Sequence, residues 1–574
     1  MDDMEEALDI RWPTIAQINV ASIRRQTGPG LIWNRVGAVA DIYLDGVEPQ
    51  GILTLWEKHA RRILDALGWS AEHIATRQFA GGVNLAISAP MDQLYSAVFA
   101  AQTAWHFCAS ELAGDTPLSF ETMIADLKSV MAREANPALL ALIDAAHAHH
   151  VDVLCDEDDV SIGHGAGSKC WPITDLPQLD NINWSEIHDV PSAFITGTNG
   201  KTTTTRLCAA IATEAGKVVG LTSTDMVQVG REVLDRGDYS GPAGGRMVLR
   251  DPRVEVAYLE VARGGILRRG LPTSHARVAV VTNIAKDHLG EYGVMTLPEL
   301  AEAKFTVARA IAPNGILVLN ADDSVVVTVA QQIEAPKWWF SLDQGCQLIR
   351  DAKAAGTPCA YATNDALIFH DGTREILDVP LDDVPMTLNG AAKHNIRNAL
   401  AAIATSIAMD MPLGAIHAGL LAFRSDPADN PGRLNEFSYN GARVFVDYAH
   451  NPHSIAAVCD ALAAVPAKRR FLMISQPGDR SDQDIGEAAK TATGFKPDHV
   501  VIAEIADYLR GRTLGESPTL LAASLTASGI NSDAVQHAAS PTLGATAILA
   551  QLQPDDLALL LVLSDRDHVF KLLA

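Results

Sequence analysis

The sequence predicts an α/β protein of three domains, and three observations carry that reading. From residue 191 onward, apolar runs ("SAFIT", "VEVAYLEV", "RVAVVTNI", "GILVLN") alternate with helix-length segments, a pattern that suits strands buried on both faces of a parallel sheet. The alternation starts afresh near residue 442 through "ARVFVDYA", "RRFLMIS", "HVVIAE" and "LALLLVLS", with helical segments between them, and reads as a second, Rossmann-like doubly wound sheet. At 574 residues the chain also exceeds the size at which one core stops growing, about 250–300 residues.

Taken in order, the first third is mixed α+β. A strand is expected near "VGAVADIYLDG", a helix through "GILTLWEKHARRILDALG", and helical periodicity from about Leu112 to His150. The stretch "GHGAGSKCWPITDLPQLDNINW", rich in Gly, Pro, Asp and Asn, reads as a linker, and "FRSDPADNPGR" as a second one. The expected division is therefore 1–170, 171–425 and 426–574. The sequence shows neither a repeat period nor a long low-complexity segment.

Composition restricts the function classes. With 48% hydrophobic and 20% charged residues, the chain can bury large cores. A formal net charge of -24 opposes long-range attraction to nucleic acid or anionic lipid, whereas a small anion can still be held by a local site of N–H groups, a lysine and a metal ion. The acidic start "MDDMEEALDI" lacks the pattern of a secretory signal, and no uncharged run reaches the roughly 18 residues of a membrane span. Seven cysteines without CxxC spacing fit a reducing compartment, so a cytoplasmic protein is expected. Whether copies of the chain associate as a homo-oligomer stays open, because composition does not separate apolar surface from core.

The most informative stretch is "ITGTNGKTTTTR", residues 195–206, between an apolar strand and a helical pattern. N–H groups at a helix start point at an anion, and the helix dipole favours negative charge there. Gly197 and Gly200 let the backbone of Thr198 and Asn199 approach phosphate, Lys201 supplies a point charge, and Thr202, followed by Thr203, offers a hydroxyl to Mg²⁺. The general P-loop pattern wants glycine where Ile195 stands, so it is not matched in full; a packing turn is the bland alternative. Glu260 ends the strand "VEVAYLEV", at the sheet edge where open α/β sheets bind ligands, and is a carboxylate for Mg²⁺. Asn283, Asp287 and His288 follow the next strand in "VTNIAKDHLG". Either Glu260 or His288 alone is more often a solvated strand end; their recurrence at successive strand ends points to function.

With these residues in view, the chain from about residue 191 resembles the Mur ligase family, and within it most the Mur-type half of the cyanophycin synthetases. The motifs that carry the resemblance are "TGTNGKTTTTR", "LEVARGGILRRGL", "VTNIAKDHLG", "LNADD", "KHNIRNALAA", "NPGRLNEF", "DYAHNP" and "QPGDRSDQDI". It implies a Mur-ligase-like architecture with a central P-loop ATPase domain, using ATP and Mg²⁺ to join a small carboxylate to an amine. It implies that Lys201 contacts the β- and γ-phosphates, that Thr202 and Glu260 share one Mg²⁺, and that His288 belongs to a second metal. Asn398 matches a family position that reads adenine, and the resemblance implies that Asp322 lies near the nucleotide. The resemblance further implies that Arg433 reaches the phosphates and Asp447 the ribose side, with the C-terminal domain closing onto the central one. Lys304 matches a lysine that many relatives carbamylate. His450 and Asn451 of "DYAHNP", and Asp479 and Arg480 of the PGDR loop, are candidate contacts to substrate, as are Asp565, Arg566 and His568; solvated loop charges are the alternative for the last five.

In the first third, "FAGGVNLAISAPMDQLYSAV" and "VSIGHGAGSKC" resemble the N-terminal region of cyanophycin synthetases, but residues 171–190 leave no room for an ATP-grasp domain. One amide bond per cycle is therefore expected, not an Asp–Arg polymer. A folylpolyglutamate-type or other Mur-like ligase is the alternative within the class. An inactive nucleotide-gated scaffold and a generic P-loop phosphotransferase are the alternatives outside it. His147, His149, His150 and Asp152 lie close in sequence, yet without a zinc-motif partner they read as a solvated helix end, and "AKRR" as an exposed turn.

Overall fold

A computed structural model describes Met4 and residues 6–574, which form two compact units. The first holds residues up to Ile284, Leu289–Trp338 and Thr405–Pro412; the second holds Ala285–His288, Trp339–Ala404 and Leu413–Ala574.

The first unit begins with a four-stranded antiparallel sheet in the order Ile18–Gln26, Gly37–Leu44, Gly82–Ser88, Ile74–Phe79. Helices Pro49–Leu67 and Leu94–Ala113 bury its apolar face, and Trp56 and Trp105 are fully enclosed. The expected helix over 51–68 and strand near 36–46 are present. The helical region after Leu112 is broken at Gly114 and again at Asn136, whose side chain caps the helix Pro137–Ala148 with proline in its first turn. Part of the expected first linker is strand: Lys169–Pro172 pairs with Asp159–Ile162, which pairs with Val153–Cys155.

The main sheet of this unit runs Glu232–Arg236, Met226–Val229, Val219–Thr222, Val256–Glu260, Ser192–Thr196, Ala276–Val281, Ile311–Asn320. The last five strands are parallel; Met226–Val229 runs antiparallel to them, and Glu232–Arg236 pairs antiparallel with Met226–Val229. Ala193, Phe194 and Ile195 have no exposed surface, as a central strand covered on both faces requires. The register places Ile195 between Glu260 and Val280, so three neighbouring strands end level.

The second unit carries the Rossmann-like sheet in the order Asn435–Tyr439, Ala442–Asp447, Leu557–Leu561, Arg470–Ile474, His499–Ala503, Val535–Ala538. Only the first pair is antiparallel, turned by Asn440 and Gly441 at φ 50° and 78°, the Asn-Gly pairing that a tight hairpin favours. Strands Cys359–Ala362, Ala366–His370 and Glu375–Pro380 form an antiparallel run also in this unit. The "AKRR" turn is tied to the unit's own acids, Lys468 to Asp555 at 2.7 Å and Arg469 to Asp556 at 2.5 Å. Among the described residues no helix is long and apolar enough to cross a membrane.

Asp152 does not join the histidines beside it in sequence. His149 stacks on Trp184 at 4.2 Å, and His150 is exposed at φ 59°. Asp152 is buried instead against Thr273, which donates to it, with His164 Nε2 at 3.3 Å and His275 Nδ1 at 3.4 Å. His164, without exposed surface, has Asp189 3.7 Å from its other nitrogen. Burial opposes ionisation of Asp152, but its imidazole and hydroxyl neighbours hold its carboxyl far below the ordinary range. The bond to Asp152 in turn raises the pKa of His275 above its usual 6.5.

A histidine whose pKa is raised on folding stabilises the fold fully below its unfolded pKa and ceases to do so as pH rises through the raised value. The melting temperature of the wild type should therefore fall relative to that of His275→Gln as pH is taken from about 6 to about 9. Calorimetry at fixed ionic strength checks this, and parallel curves would remove the linkage.

Candidate functional site

The strand Ser192–Thr196 turns through Gly197–Gly200 into the helix Lys201–Glu214. Gly197 sits at φ 145°, and a Cβ there would lie 1.9 Å from Thr282 Oγ1, so only glycine fits. Gly200, at φ 85°, is the N-cap and offers no side chain to its helix, which leaves the helix start suited to an external anion. The loop is pinned by the end of the neighbouring strand. Thr198 N donates to Asn283 O at 2.9 Å, Asn199 N to Asn283 Oδ1 at 3.0 Å, and Asn283 Nδ2 to Asn199 O at 2.9 Å. Thr282 Oγ1 adds a bond to Asn199 O at 2.7 Å.

Four side chains converge on this loop. Lys201 Nζ donates to Thr198 O at 3.0 Å. Thr202 Oγ1 donates to Glu260 Oε2 at 2.9 Å, and Thr224 N approaches the same oxygen at 3.3 Å; Thr202 and Glu260 are both buried. Lys304, buried in the last turn of the helix Leu297–Phe305, donates from Nζ to Gly197 O at 2.8 Å. Thr203 is buried beside them, and Thr205 bonds back to Lys201 O at 2.8 Å. A hydroxyl and a carboxylate this close are hard oxygen donors, the set that Mg²⁺ takes alongside phosphate oxygens. The residues present thus fit the ion.

Asp322 is exposed, its N–H donating to Asn320 Oδ1 at 2.9 Å. Its neighbour Asp323 does the local work by capping the helix Ser324–Ala330 and accepting Ile284 N at 2.7 Å. Sequence reasoning assigned no role to Arg206, whose buried guanidinium pairs with Asp225 at 3.1 Å; its position one turn beyond Thr202 was the available signal.

In the second unit, Asp287 is the centre of a charged cluster. Arg480 Nη1 lies 2.7 Å from Asp287 Oδ1 and Nη2 lies 3.2 Å from His288 Nε2, while His450 Nε2 is 3.6 Å from Asp287 Oδ2. His288 is held at φ 49°, a left-handed conformation uncommon among residues other than glycine. The ligand atoms of Asp287, His288 and His450 fall within 4.8 Å of one another, a group that could hold a metal ion, and the guanidinium of Arg480 also contacts Asp287 and His288. Burial works against ionisation of Asp287, yet the hydrogen bond from His450 and the charges of His450, His288 and Arg480 keep its carboxyl well below the ordinary range. The PGDR turn is fixed behind this cluster. A Cβ on Gly478 would meet Leu509 O at 1.9 Å, and Arg512 Nη2 donates to Arg480 O at 2.7 Å. Asp479 faces away and pairs with Arg510.

The other residues of this unit are engaged locally. Arg433 lies 4.6 Å over the ring of Tyr448. Asp447 accepts Leu434 N and Ala449 N, each at 2.7 Å, and burial pushes its pKa up to about 6 against the nearby Arg433 charge. Asn451 caps the helix Pro452–Ala463 through Ser454. Asn398, buried on the helix Lys393–Ala408, donates to Asn395 Oδ1 at 3.2 Å. Arg566 reaches Pro431 O at 3.4 Å, and Asp565 accepts Thr542 Oγ1 at 3.1 Å.

Comparison with known proteins matches two consecutive family models, the Mur ligase middle domain over residues 195–406 and the Mur ligase glutamate ligase domain over residues 432–561. A cyanophycin synthetase of Trichormus variabilis is 39% identical over 337 residues, 59% of this chain and 37% of that protein, so the match spans little more than a third of the relative's length. The UDP-N-acetylmuramoyl-L-alanyl-D-glutamate--2,6-diaminopimelate ligase of Listeria monocytogenes is 28% identical over 52% of this chain and 60% of its own. Among solved structures, E. coli FolC with DHPP and ADP aligns over 67% of this chain and 88% of its own at 21% identity and a TM-score of 0.49.

The loop geometry is testable on its own. Gly197→Ala should destabilise the protein by about 1–3 kcal/mol, because it forces both a clash with Thr282 and a disfavoured φ. Gly51→Ala, on an open helix surface, should stabilise it by about 0.5–1 kcal/mol. Denaturant unfolding reads both, and equal effects would show that the close approach at Gly197 is not a constraint.

Proposed function

Because this chain belongs to the Mur ligase family, we propose that it is an ATP- and Mg²⁺-dependent ligase that joins a small carboxylate to an amine, with an amino acid as the amine. The observation that carries the reading is the buried bond from Thr202 to Glu260 beside a glycine-bracketed helix start, a hydroxyl and carboxylate in position to share a divalent cation next to a phosphate cradle. Carboxylates do not condense with amines in water. The proposed route transfers the γ-phosphoryl group to the substrate carboxylate, releasing ADP and forming an acyl phosphate. The amine attacks the acyl carbon, loses a proton, and the tetrahedral intermediate collapses with loss of phosphate.

Both steps gather negative charge, and bound Mg²⁺ supplies neutralisation of the phosphate oxygens. On this reading Lys201 swings from Thr198 O to the β- and γ-phosphates, while the N–H groups of residues 198–203 cradle them. Asn283 and Lys304 keep the loop in place through Asn199 and Gly197. Arg433 is proposed as a phosphate contact, Asn398 as the adenine reader, and Asp322 as a nucleotide neighbour. Asp447 would meet ribose with lone pairs not used by Leu434 N and Ala449 N. His288 is proposed as a ligand of a second metal ion, and His450 and Arg480 as substrate contacts, with Asn451 and Asp479 as supports for their loops. The division at residues 170 and 425 belongs to the same proposal.

One amide bond per cycle is proposed. Only residues 173–191 join the strand Lys169–Pro172 to the strand Ser192–Thr196, which leaves no space there for a second nucleotide-binding domain. Incubation with ATP, Mg²⁺ and panels of amino acids and small acids, read by phosphate release and mass spectrometry, should give a single mass increment; a ladder of products would overturn the single ligation. Lys201→Ala should lower turnover by at least about 100-fold with the fold intact, since it removes the charge on the transferred group. Unchanged turnover would take Lys201 out of the reaction. Glu260→Gln should raise the Mg²⁺ needed for half-maximal rate by roughly tenfold, and an unaltered requirement would place the ion elsewhere.

A further inference from the structure

We infer that Arg77 is a positioning residue for the phosphate loop, acting through the helix Leu297–Phe305 and its Lys304. The inference rests on the ligase reading for what the loop binds, but its geometry is independent of it. Four polar side chains, one from each strand of the N-terminal sheet, form a row across its face. Ser22 Oγ donates to Asp41 Oδ2 at 2.8 Å, Asn84 Nδ2 to Asp41 Oδ1 at 2.7 Å, and Arg77 Nη1 to Asn84 Oδ1 at 3.0 Å. The pairing register puts Ser22 opposite Asp41, Asp41 opposite Asn84 and Asn84 opposite Arg77. Asp41 and Asn84 are almost wholly buried, which is costly unless every polar atom is answered.

The row is answered at both ends by the central part of the unit. At one end Arg24 pairs with Asp41 and donates from Nε to Leu267 O at 2.9 Å, in the segment that follows Glu260. At the other end Arg77 donates from Nη1 to Gly293 O at 3.0 Å, and from Nε and Nη2 to Glu302 Oε2 at 3.0 and 2.6 Å. Next to it, Ala80 N donates to Glu299 Oε1 at 2.7 Å. Glu299 and Glu302, three residues apart, lie on one side of the short helix. Lys304, two residues beyond Glu302 and so about 200° around the axis, reaches the other way to Gly197 O at 2.8 Å. Leu31 packs with Leu300 and Ala303 on the same helix. Arg77 thus clamps one face of a two-turn helix whose opposite face holds the first residue of the phosphate loop.

A positioning role of this kind should be felt at the outermost phosphate more than at the nucleotide as a whole. The test uses the full chain and isothermal titration of Mg²⁺ complexes of AMP-PNP and ADP. Arg77→Met should weaken AMP-PNP by about tenfold and ADP by less than about twofold, with Arg77→Lys in between. In a Lys304→Met background, Arg77→Met should have no further effect, because residues acting through one another are not additive. Equal losses for both nucleotides, no loss, or additive losses would overturn the inference. A wild type that binds neither nucleotide would instead count against the ligase reading. Hydrogen exchange then decides the inference: faster exchange at residues 198–203 in Arg77→Met, with the C-terminal sheet unchanged, supports it, and wild-type exchange there overturns it.

Discussion

The level ending of three parallel strands is the constraint on which the first unit's chemistry depends. Ile195 is flanked in register by Glu260 and Val280, so the chain leaves all three strands at one edge. That single alignment sets the Thr202 hydroxyl on the Glu260 carboxylate and brings Thr282 and Asn283 against the loop of residues 197–200. Because side chains alternate along a strand, a slip of one residue would turn Glu260 to the other face of the sheet and break the pair. The continuous apolar runs that make these strands easy to bury therefore also keep the site in alignment, since Ala193, Phe194 and Ile195 have no exposed surface to trade.

Buried carboxylates show how local partners override the acidic balance of the chain. Asp287 and Asp447 belong to the same unit, Asp447 buried and Asp287 largely so, yet their ionisation moves in opposite directions. Asp287 has two imidazoles and a guanidinium around it and stays ionised far into acid. Asp447 has two backbone N–H groups and the more distant charge of Arg433, and burial prevails, bringing its pKa to about 6. Two carboxyl groups with separated titrations are a familiar division between a fixed anion and a group able to exchange a proton near neutrality.

The doubly wound parts were legible because their signals are local. "SAFIT", "RVAVVTNI" and "RRFLMIS" each have an unbroken apolar centre, and each coincides with a buried strand. Thr202 and Glu260 could be paired on paper because each ends or follows such a strand. Of the N-terminal sheet only the strand near residues 36–46 was legible, and the rest was not, for the opposite reason. "INVASIRRQ" alternates, and a polar face looks solvated until another element is found to cover it. The partners of Asp152 lie up to 123 residues away at His275, and those of Asp287 up to 193 residues away at Arg480, so proximity in sequence drew attention to His147 and His150 instead. The pairing of Arg480 with Asp287 had no sequence signal beyond the presence of charge in a turn.

The buried polar row changes what the N-terminal sheet is for. An apolar face would stick to any apolar partner, but Asp41 and Asn84 are tolerable inside the protein only while Ser22, Arg24 and Arg77 complete them, and Arg24 and Arg77 are themselves completed by Leu267 O, Gly293 O and Glu302. Separation of the sheet from the central strands would leave those groups half satisfied, which is worse than either full burial or full hydration. Docking is then close to all or none, and the sheet shares its stability with the strands that carry Glu260 and the phosphate loop. Such coupling explains why the two modules form one compact unit despite their unlike folds. It also gives the first third of the chain a mechanical reason to exist that requires no ligand of its own.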